Sequence, residues 1–210
     1  MIALYCADIR DCLAHRQALE SRLPPARATR MRAYRQDADR LRCLAAWWLL
    51  ARSVGERQLQ ENPCLEGAHG KPWLAGGPCF NLSHAGQWVL LAVGDVEVGA
   101  DIEVWSEKDC AALAEVAFHP AERAWWATRQ SARDFFDLWV AKESYLKWLG
   151  TGLSRPPADF CLRLEGRTGQ VDECPPARLR LYDALPGYSI AVCAAAPLPE
   201  AVVPVSLAFG

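Results

Sequence analysis

Apolar residues recur along the chain at spacings near 3.6 and near 2, and the points where one rhythm replaces the other outline the elements. Residues 2–7 are an apolar run of strand length, and residues 13–23 carry a helical pattern stopped by Pro24-Pro25. A long helix is predicted over 26–54. Its second half, residues 41–50, is apolar almost all round and so belongs in the interior. A polar segment then reaches Gly70-Lys71-Pro72-Trp73, and Gly76-Gly77-Pro78 breaks the chain again. Residues 80–84 begin a strand or its approach, and 88–93 are a strand. Gly94-Asp95 turns into 96–104, expected to pair with that strand as a hairpin. Helical pieces follow over 108–118 and 120–130, with Pro120 suited to a helix start. Residues 133–149 form a strong helix closed by Gly150, and 160–164, 178–181 and 188–193 read as strands.

The element order is strand, helices, hairpin, helices, strands, with one long helix near residue 40 and another near residue 140. This predicts an α+β fold of two similar, pseudo-symmetric halves, 1–98 and 99–210. Each is a small antiparallel sheet packed on a long helix. No identity between the halves is visible, so the duplication rests on element order.

Composition narrows the classes. With 51% hydrophobic and 23% charged residues, the 210-residue chain can bury a core and is not disordered. Twenty-three Lys and Arg against 25 Asp and Glu give a net charge of −2, so nothing general favours nucleic acid. No apolar stretch approaches the ~18 residues of a membrane span, and the N-terminus lacks the basic region of a signal peptide. The nine cysteines include no C-x-x-C pair, which suggests neither a zinc site nor a disulfide framework; reduced thiols of a cytoplasmic protein are expected.

Charge is uneven locally. Arg27, Arg30, Arg32, Arg35, Arg40 and Arg42 stand within sixteen residues against only Asp37 and Asp39. Taken singly, these arginines suit a solvated helix face, Lys71 a turn and His84 a hydrogen-bonded histidine. The acidic candidates are more specific. Asp101 and Glu103 are two apart on a predicted strand and so share a face, with Ile102 packed opposite. An isolated D-x-E is usually a solvated edge. Glu143, however, lies on the 133–149 helix in an i, i+4, i+8 stripe with Trp139 and Lys147, among Phe135, Phe136 and Trp148. Three carboxylates suit Mg²⁺, which takes oxygen ligands together with substrate phosphates, and Lys147 is placed to reach a phosphate. Carboxylates plus scattered cations describe a polyphosphate site, held without a P-loop or a G-x-G-x-x-G turn.

Four motifs stand in order. Gly70-Lys71-Pro72, Phe80-Asn81-Leu82-Ser83-His84 and Gly99-Ala100-Asp101-Ile102-Glu103 precede a twelve-residue segment from Trp139 to Gly150 that contains Lys142-Glu143-Ser144 and Lys147. The set resembles the G-K/R-P, F-N-x-S-H, G-x-D-x-E and W-x-x-K-E-A/S-x-x-K-x-x-G patterns of the Sfp-type 4′-phosphopantetheinyl transferases. The likeness spans about residues 20–195. It implies transfer of phosphopantetheine from coenzyme A to a serine of an apo acyl or peptidyl carrier protein, with release of 3′,5′-ADP. Asp101, Glu103 and Glu143 would then hold Mg²⁺, Lys147 and His84 would contact the pyrophosphate with Ser83 beside them, and Lys71 and Pro72 would lie at the adenosine end. Arg27, Arg30 and Arg40 match basic positions near the 3′-phosphate, in a segment that offers several registers. Glu143 is the expected general base, or else a water on the metal. Glu122 falls where some members carry a further glutamate, although a helix-start role suits it better. The segment after Glu103, with Trp105, Lys108 and Leu113, is the candidate carrier surface. A monomer without membrane or nucleic-acid partners is expected. Two other readings use the same groups: a metal-dependent hydrolase of coenzyme A or nucleotide pyrophosphates, and a non-catalytic binding module.

Overall fold

The computed structural model describes residues 1–62, 64–106, 110–172 and 177–207. In chain order, β1 (Ile2–Asp8) leads through a 3-10 turn at Ile9–His15 into α1 (Arg16–Ser21), α2 (Pro25–Ala33), α3 (Asp37–Val54) and α4 (Glu56–Glu61). The hairpin β2 (Cys64–Glu66) and β3 (Pro72–Leu74) precedes β4 (Cys79–Ala85) and β5 (Trp88–Gly94). The second half runs through β6 (Val98–Val104), α5 (Cys110–Ala117), α6 (Pro120–Ala127) and α7 (Ala132–Leu149). It ends with β7 (Leu162–Glu165), β8 (Thr168–Val171), β9 (Arg178–Leu181), β10 (Tyr188–Ala194) and β11 (Val203–Pro204).

Two sheets result, ordered β11-β1-β5-β4 and β6-β10-β9-β8-β7, each covered by one eighteen-residue helix. All their pairings are antiparallel except β1 with β11. Leu44, Trp47 and Trp48 of α3 pack with Phe80, Val89 and Leu91 on the outer face of the first sheet. Phe135, Leu138, Tyr145 and Leu146 of α7 pack with Leu179, Ala191 and Cys193 on the outer face of the second. A third core, including Leu4, Leu90, Ala100, Ile102 and Val192, lies between the sheets. Each fully buried Leu or Phe contributes about 1.5–3 kcal/mol, so these layers hold the halves together. The expected α+β architecture of two sheet-and-helix units is present.

Two expectations about single elements are corrected. The helix expected over 26–54 is broken, with Tyr34 and Gln36 extended between α2 and α3. The break puts Arg30 and Arg32 at the negative end of one helix and Asp37 and Asp39 at the positive end of the next, which an unbroken helix would forfeit. The segment expected to pair with the 88–93 strand as a hairpin does not. The hairpin is β4–β5, turned at Gly86 with φ +53°, and β6 joins β10 in the other sheet. Both edges of β5 are already taken by β1 and β4, and β6 buries both of its faces in the second sheet. The strands β2, β3, β8 and β11 were not anticipated. Cys6, Cys12, Cys43, Cys64, Cys79, Cys110, Cys161 and Cys193 are free thiols, and Cys174 lies outside the described residues. Among the described residues no helix is long and apolar enough to cross a membrane.

Candidate active site

The register of β6 against β10 decides which residues meet α7. Gly99, Asp101 and Glu103 pair with Cys193, Ala191 and Ser189, and all six face α7, while Ala100 and Ile102 face the first sheet. A Cβ on Gly99 would overlap Ser144 O and Trp148 N and come within 2.9 Å of Trp148 Cα. The missing side chain is therefore what lets α7 lie backbone-close on β6, bringing Glu143 and Lys147 over the acidic strand.

Asp101 is 3% exposed. Its Oδ1 accepts the Ser83 hydroxyl at 2.7 Å and the Lys147 ammonium at 2.6 Å, and Lys147 also donates to Ser83 Oγ at 3.1 Å. Its Oδ2 and Glu143 Oε1 are buried with no partner. Asn81, 4% exposed, accepts the Ala100 N–H at 2.9 Å and so ties β4 to β6 where no ladder joins them. Burial, then Asp101, raise the Glu103 carboxyl to about 7, with Glu143 adding to the rise and Lys147 and a Trp139 hydrogen bond opposing it. Glu143 is raised too, by burial and then by Asp101. These three carboxylates thus act on one another through a water-poor space. As placed, no three His, Cys, Asp or Glu side chains among the described residues form a group that holds a metal; the ammonium of Lys147 is the cation on Asp101.

Lys71, Pro72, Asn81, Glu143, Lys147 and Gly150 line one cleft of about 260 Å³. Lys71 donates to Glu97 at 2.6 Å and to Val98 O at 3.1 Å. A larger cavity of about 670 Å³ is lined by Arg27, Arg30, Trp47, Cys64, Glu66 and Pro72, among others, so Pro72 stands between the two. Arg27 lies 5.4 Å over the Trp47 ring, and Arg30 donates to Glu66 at 2.9 Å. Arg40 is not with them: it donates to Tyr34 O at 3.0 Å, at the junction of α2 and α3. Arg42 is held by Gly86 O and Asp39. His84 is exposed and alternates with Ser83 along β4, so it points to the α3 side. Part of the ring surface is open, but neighbouring protein removes enough water from the rest that this desolvation, then the charges of Arg42 and Lys147, keep its pKa below the usual imidazole value.

Residues 97–193 match the model of the 4′-phosphopantetheinyl transferase superfamily. The chain is 35% identical over 180 residues to the 4′-phosphopantetheinyl transferase Sfp of Bacillus subtilis (strain 168), covering 75% of this chain and 76% of that protein. This chain belongs to the 4′-phosphopantetheinyl transferase family. It is also 35% identical over 173 residues to the 4′-phosphopantetheinyl transferase ffp of Bacillus subtilis, covering 75% of this chain and 76% of that one. Identity is 33% over 186 residues to a phosphopantetheinyl transferase of Thraustochytrium sp. (strain ATCC 26185 / S-3), covering 76% and 64%.

In this phosphopantetheinyl transferase the neighbours Lys142 and Glu143 diverge by about 100° around α7, one toward the core and the other toward the cleft. Lys142 is wholly buried and donates to both Glu122 oxygens, at 2.6 and 2.7 Å, and to Phe160 O at 2.8 Å. Glu122 also accepts the N–H groups of His119, at the start of α6, and Leu162. It is therefore a buried helix-start glutamate bound to Lys142. Asn81 and Gly99 build the site without reacting, and both lie inside the motifs that carry the family resemblance, where nothing local marks them as structural. Trp139, on the stripe with Glu143 and Lys147, hydrogen-bonds Glu103 across the strand–helix interface.

Proposed function

We propose that the transferase takes coenzyme A as donor and an apo acyl or peptidyl carrier protein as acceptor, and that the 260 Å³ cleft is where the two react. The observation that carries this reading is the convergence of Lys71, Pro72, Glu143 and Lys147 on one cleft beside Asp101, whose buried Oδ2 has no partner. Asp101, Glu103 and Glu143 would hold Mg²⁺. Two unpartnered buried carboxylate oxygens fit a hard cation, and the ion when bound neutralises pyrophosphate charge. Lys147 leaves Asp101 for a pyrophosphate oxygen, with Ser83 donating beside it and His84 reaching the phosphates from the adjoining edge of β4. The serine oxygen bonds to the phosphorus that carries pantetheine, the bond to 3′,5′-ADP breaks, and Glu143 takes the hydroxyl proton. Lys71 and Pro72 hold the adenosine end. The larger cavity takes the 3′-phosphate on Arg27 and Arg30, with Arg40 steadying the α2–α3 junction behind them.

In this reading residues 1–98 contribute most of the coenzyme A contacts and 99–210 the carboxylates, so one chain suffices as a monomer, and free thiols suit the reducing cytoplasm. The carrier meets the segment after Glu103, through Trp105 and Leu113. Lys108, the third residue of that expectation, lies outside the described residues. Incubation with coenzyme A, Mg²⁺ and a panel of apo carriers should give a phosphopantetheine mass gain that EDTA abolishes and Mg²⁺ restores. Asp101→Ala and Glu143→Ala should each lower turnover by ~100-fold or more without unfolding. Cleavage of coenzyme A with no carrier mass gain would make the protein a pyrophosphate hydrolase instead.

A further inference from the structure

One of the two arginines proposed for the 3′-phosphate is already paired with an anion of the chain. Arg27 and Arg30 line the 670 Å³ cavity together with Glu66. Arg27 lies on neutral neighbours: it donates to Cys64 Sγ at 3.4 Å and sits 5.4 Å over the Trp47 ring. Arg30 instead donates to Glu66 Oε1 at 2.9 Å, and its guanidinium also donates to the Tyr34 hydroxyl. The side chains of Arg30 and Glu66 are 55% and 60% exposed, so a ligand entering the cavity can reach both.

The carboxylate has a fixed mount. Glu66 ends β2 and pairs with Pro72 in the β2–β3 ladder. The turn between them is tied by two bonds of 2.9 Å, from the Gly67 N–H to Lys71 O and from the Gly70 N–H to Gly67 O. The hairpin that offers Lys71 and Pro72 to the adenosine end therefore also carries an anion into the larger cavity. The pair adds little to stability, because water and salt screen ion pairs this exposed. Its effect falls on the ligand. A phosphomonoester carries about 1.5–2 negative charges near neutral pH and must take Arg30 from Glu66, whose carboxylate then stays nearby on the same hairpin. Tyr34 keeps hold of the guanidinium through the exchange.

We propose that Glu66 is a specificity-determining residue of the donor site, an internal counter-ion that weakens the hold on the 3′-phosphate. This deepens the transferase reading and rests on its placement of that phosphate. The repulsion acts on coenzyme A and on 3′,5′-ADP, which share the phosphate, and spares dephospho-coenzyme A, which lacks it. Glu66 thereby eases release of the product at some loss of affinity for the substrate.

The test measures Kd for coenzyme A, dephospho-coenzyme A and 3′,5′-ADP by competition binding to the whole protein without a carrier. Glu66→Gln keeps an oxygen for Arg30 and removes the charge. In it coenzyme A and 3′,5′-ADP should bind about three- to fivefold tighter, the scale of one exposed ion pair, and dephospho-coenzyme A should change by less than about 1.5-fold. Glu66→Asp keeps the charge and should stay within about twofold of wild type. Glu61→Gln removes an α4 charge that pairs with Arg57 and does not line the cavity, and should move each ligand by less than about 1.5-fold. Raising the salt from about 0.05 to about 0.5 M should shrink the difference between Glu66→Gln and wild type. Coenzyme A unchanged or weakened in Glu66→Gln, a gain shared equally by dephospho-coenzyme A, or a matching gain in Glu61→Gln overturns the inference. Those results leave the transferase reading intact, whereas a wild-type protein that binds no coenzyme A and adds no mass to any carrier overturns that reading and this inference with it.

Discussion

Replacing Gly99 by alanine tests whether the spacing of β6 and α7 makes the site. Gly99 is not among the glycines with positive φ, so alanine meets no backbone strain there and only space opposes it. The new methyl carbon would overlap the backbone at Ser144 O and Trp148 N and lie 2.9 Å from Trp148 Cα. These are backbone atoms within a helix, so no side chain can swing aside, and α7 must retreat by about 1 Å or more to restore ordinary contact. Overpacking of this kind costs about 1–3 kcal/mol, which in a protein of this size lowers Tm by roughly 2–4 °C per kcal/mol. The functional loss should be larger. Glu143 and Lys147 ride on the displaced helix, so the 2.6 Å Lys147–Asp101 contact opens, and a shift of ~1 Å at reacting groups is worth ~100-fold in rate. Carrier mass gain per minute and a thermal melt on the same sample give both numbers. Gly169→Ala is the control: its Cβ would meet only side-chain ends, Leu179 Cδ2 at 2.8 Å and Leu164 Cδ2 at 3.3 Å, in the same sheet away from the cleft. Those side-chain ends can shift, so the control should lower Tm by less than Gly99→Ala and leave transfer within about twofold. If Gly99→Ala melts earlier yet transfers as fast as the control, the spacing of strand and helix does not set the site.

Arg27→Ala and Arg30→Ala should weaken coenzyme A more than dephospho-coenzyme A in competition binding; equal losses for the two ligands would remove these arginines from the 3′-phosphate. Glu103 supplies a pH signature. Its carboxyl is raised from 4.5 to about 7 in the folded chain, so between those values the folded state holds more protons than the unfolded one. Ligand-free stability should therefore fall as pH rises from about 4.5 to about 7, and Glu103→Gln should flatten that fall in calorimetry with EDTA; parallel curves would show that Glu103 is not the titrating group. Removing one partner of the Lys142–Glu122 pair strands a buried charge, so Lys142→Ala should cost about 3–5 kcal/mol in urea unfolding. The double change Lys142→Met with Glu122→Leu should recover most of it, and a harmless Lys142→Ala would contradict the burial of the pair.

The sequence by itself determined the elements with a strong local signal. These were the all-apolar second half of α3, α7 with its Gly150 stop, Pro120 at the head of α6, and the strands β6, β7, β9 and β10. It also determined that Asp101 and Glu103 share a face opposite Ile102, because strand alternation is a local rule. Tertiary structure decided which strands became neighbours. A turn at Gly94-Asp95 looks the same whether the next strand pairs back or crosses to another sheet, and only the filled edges of β5 excluded the first. It decided the ends of helices as well: the break at Tyr34–Gln36 comes from charges meeting helix termini, which an apolar count does not weigh. Short strands such as β8, and β11 returning to β1 from the far end of the chain, have their reason in distant partners. At the site, the motif residues were legible one by one, but their grouping was not. Arg40 and Arg27 sit in one arginine-rich run, yet one closes a helix junction and the other lines a cavity. Lys142 and Glu143 are adjacent, yet a turn of about 100° per residue sends one into the core and the other to the cleft. The separation of Gly99 from Ser144 and Trp148 in sequence conceals a close approach that exists only because Gly99 carries no side chain.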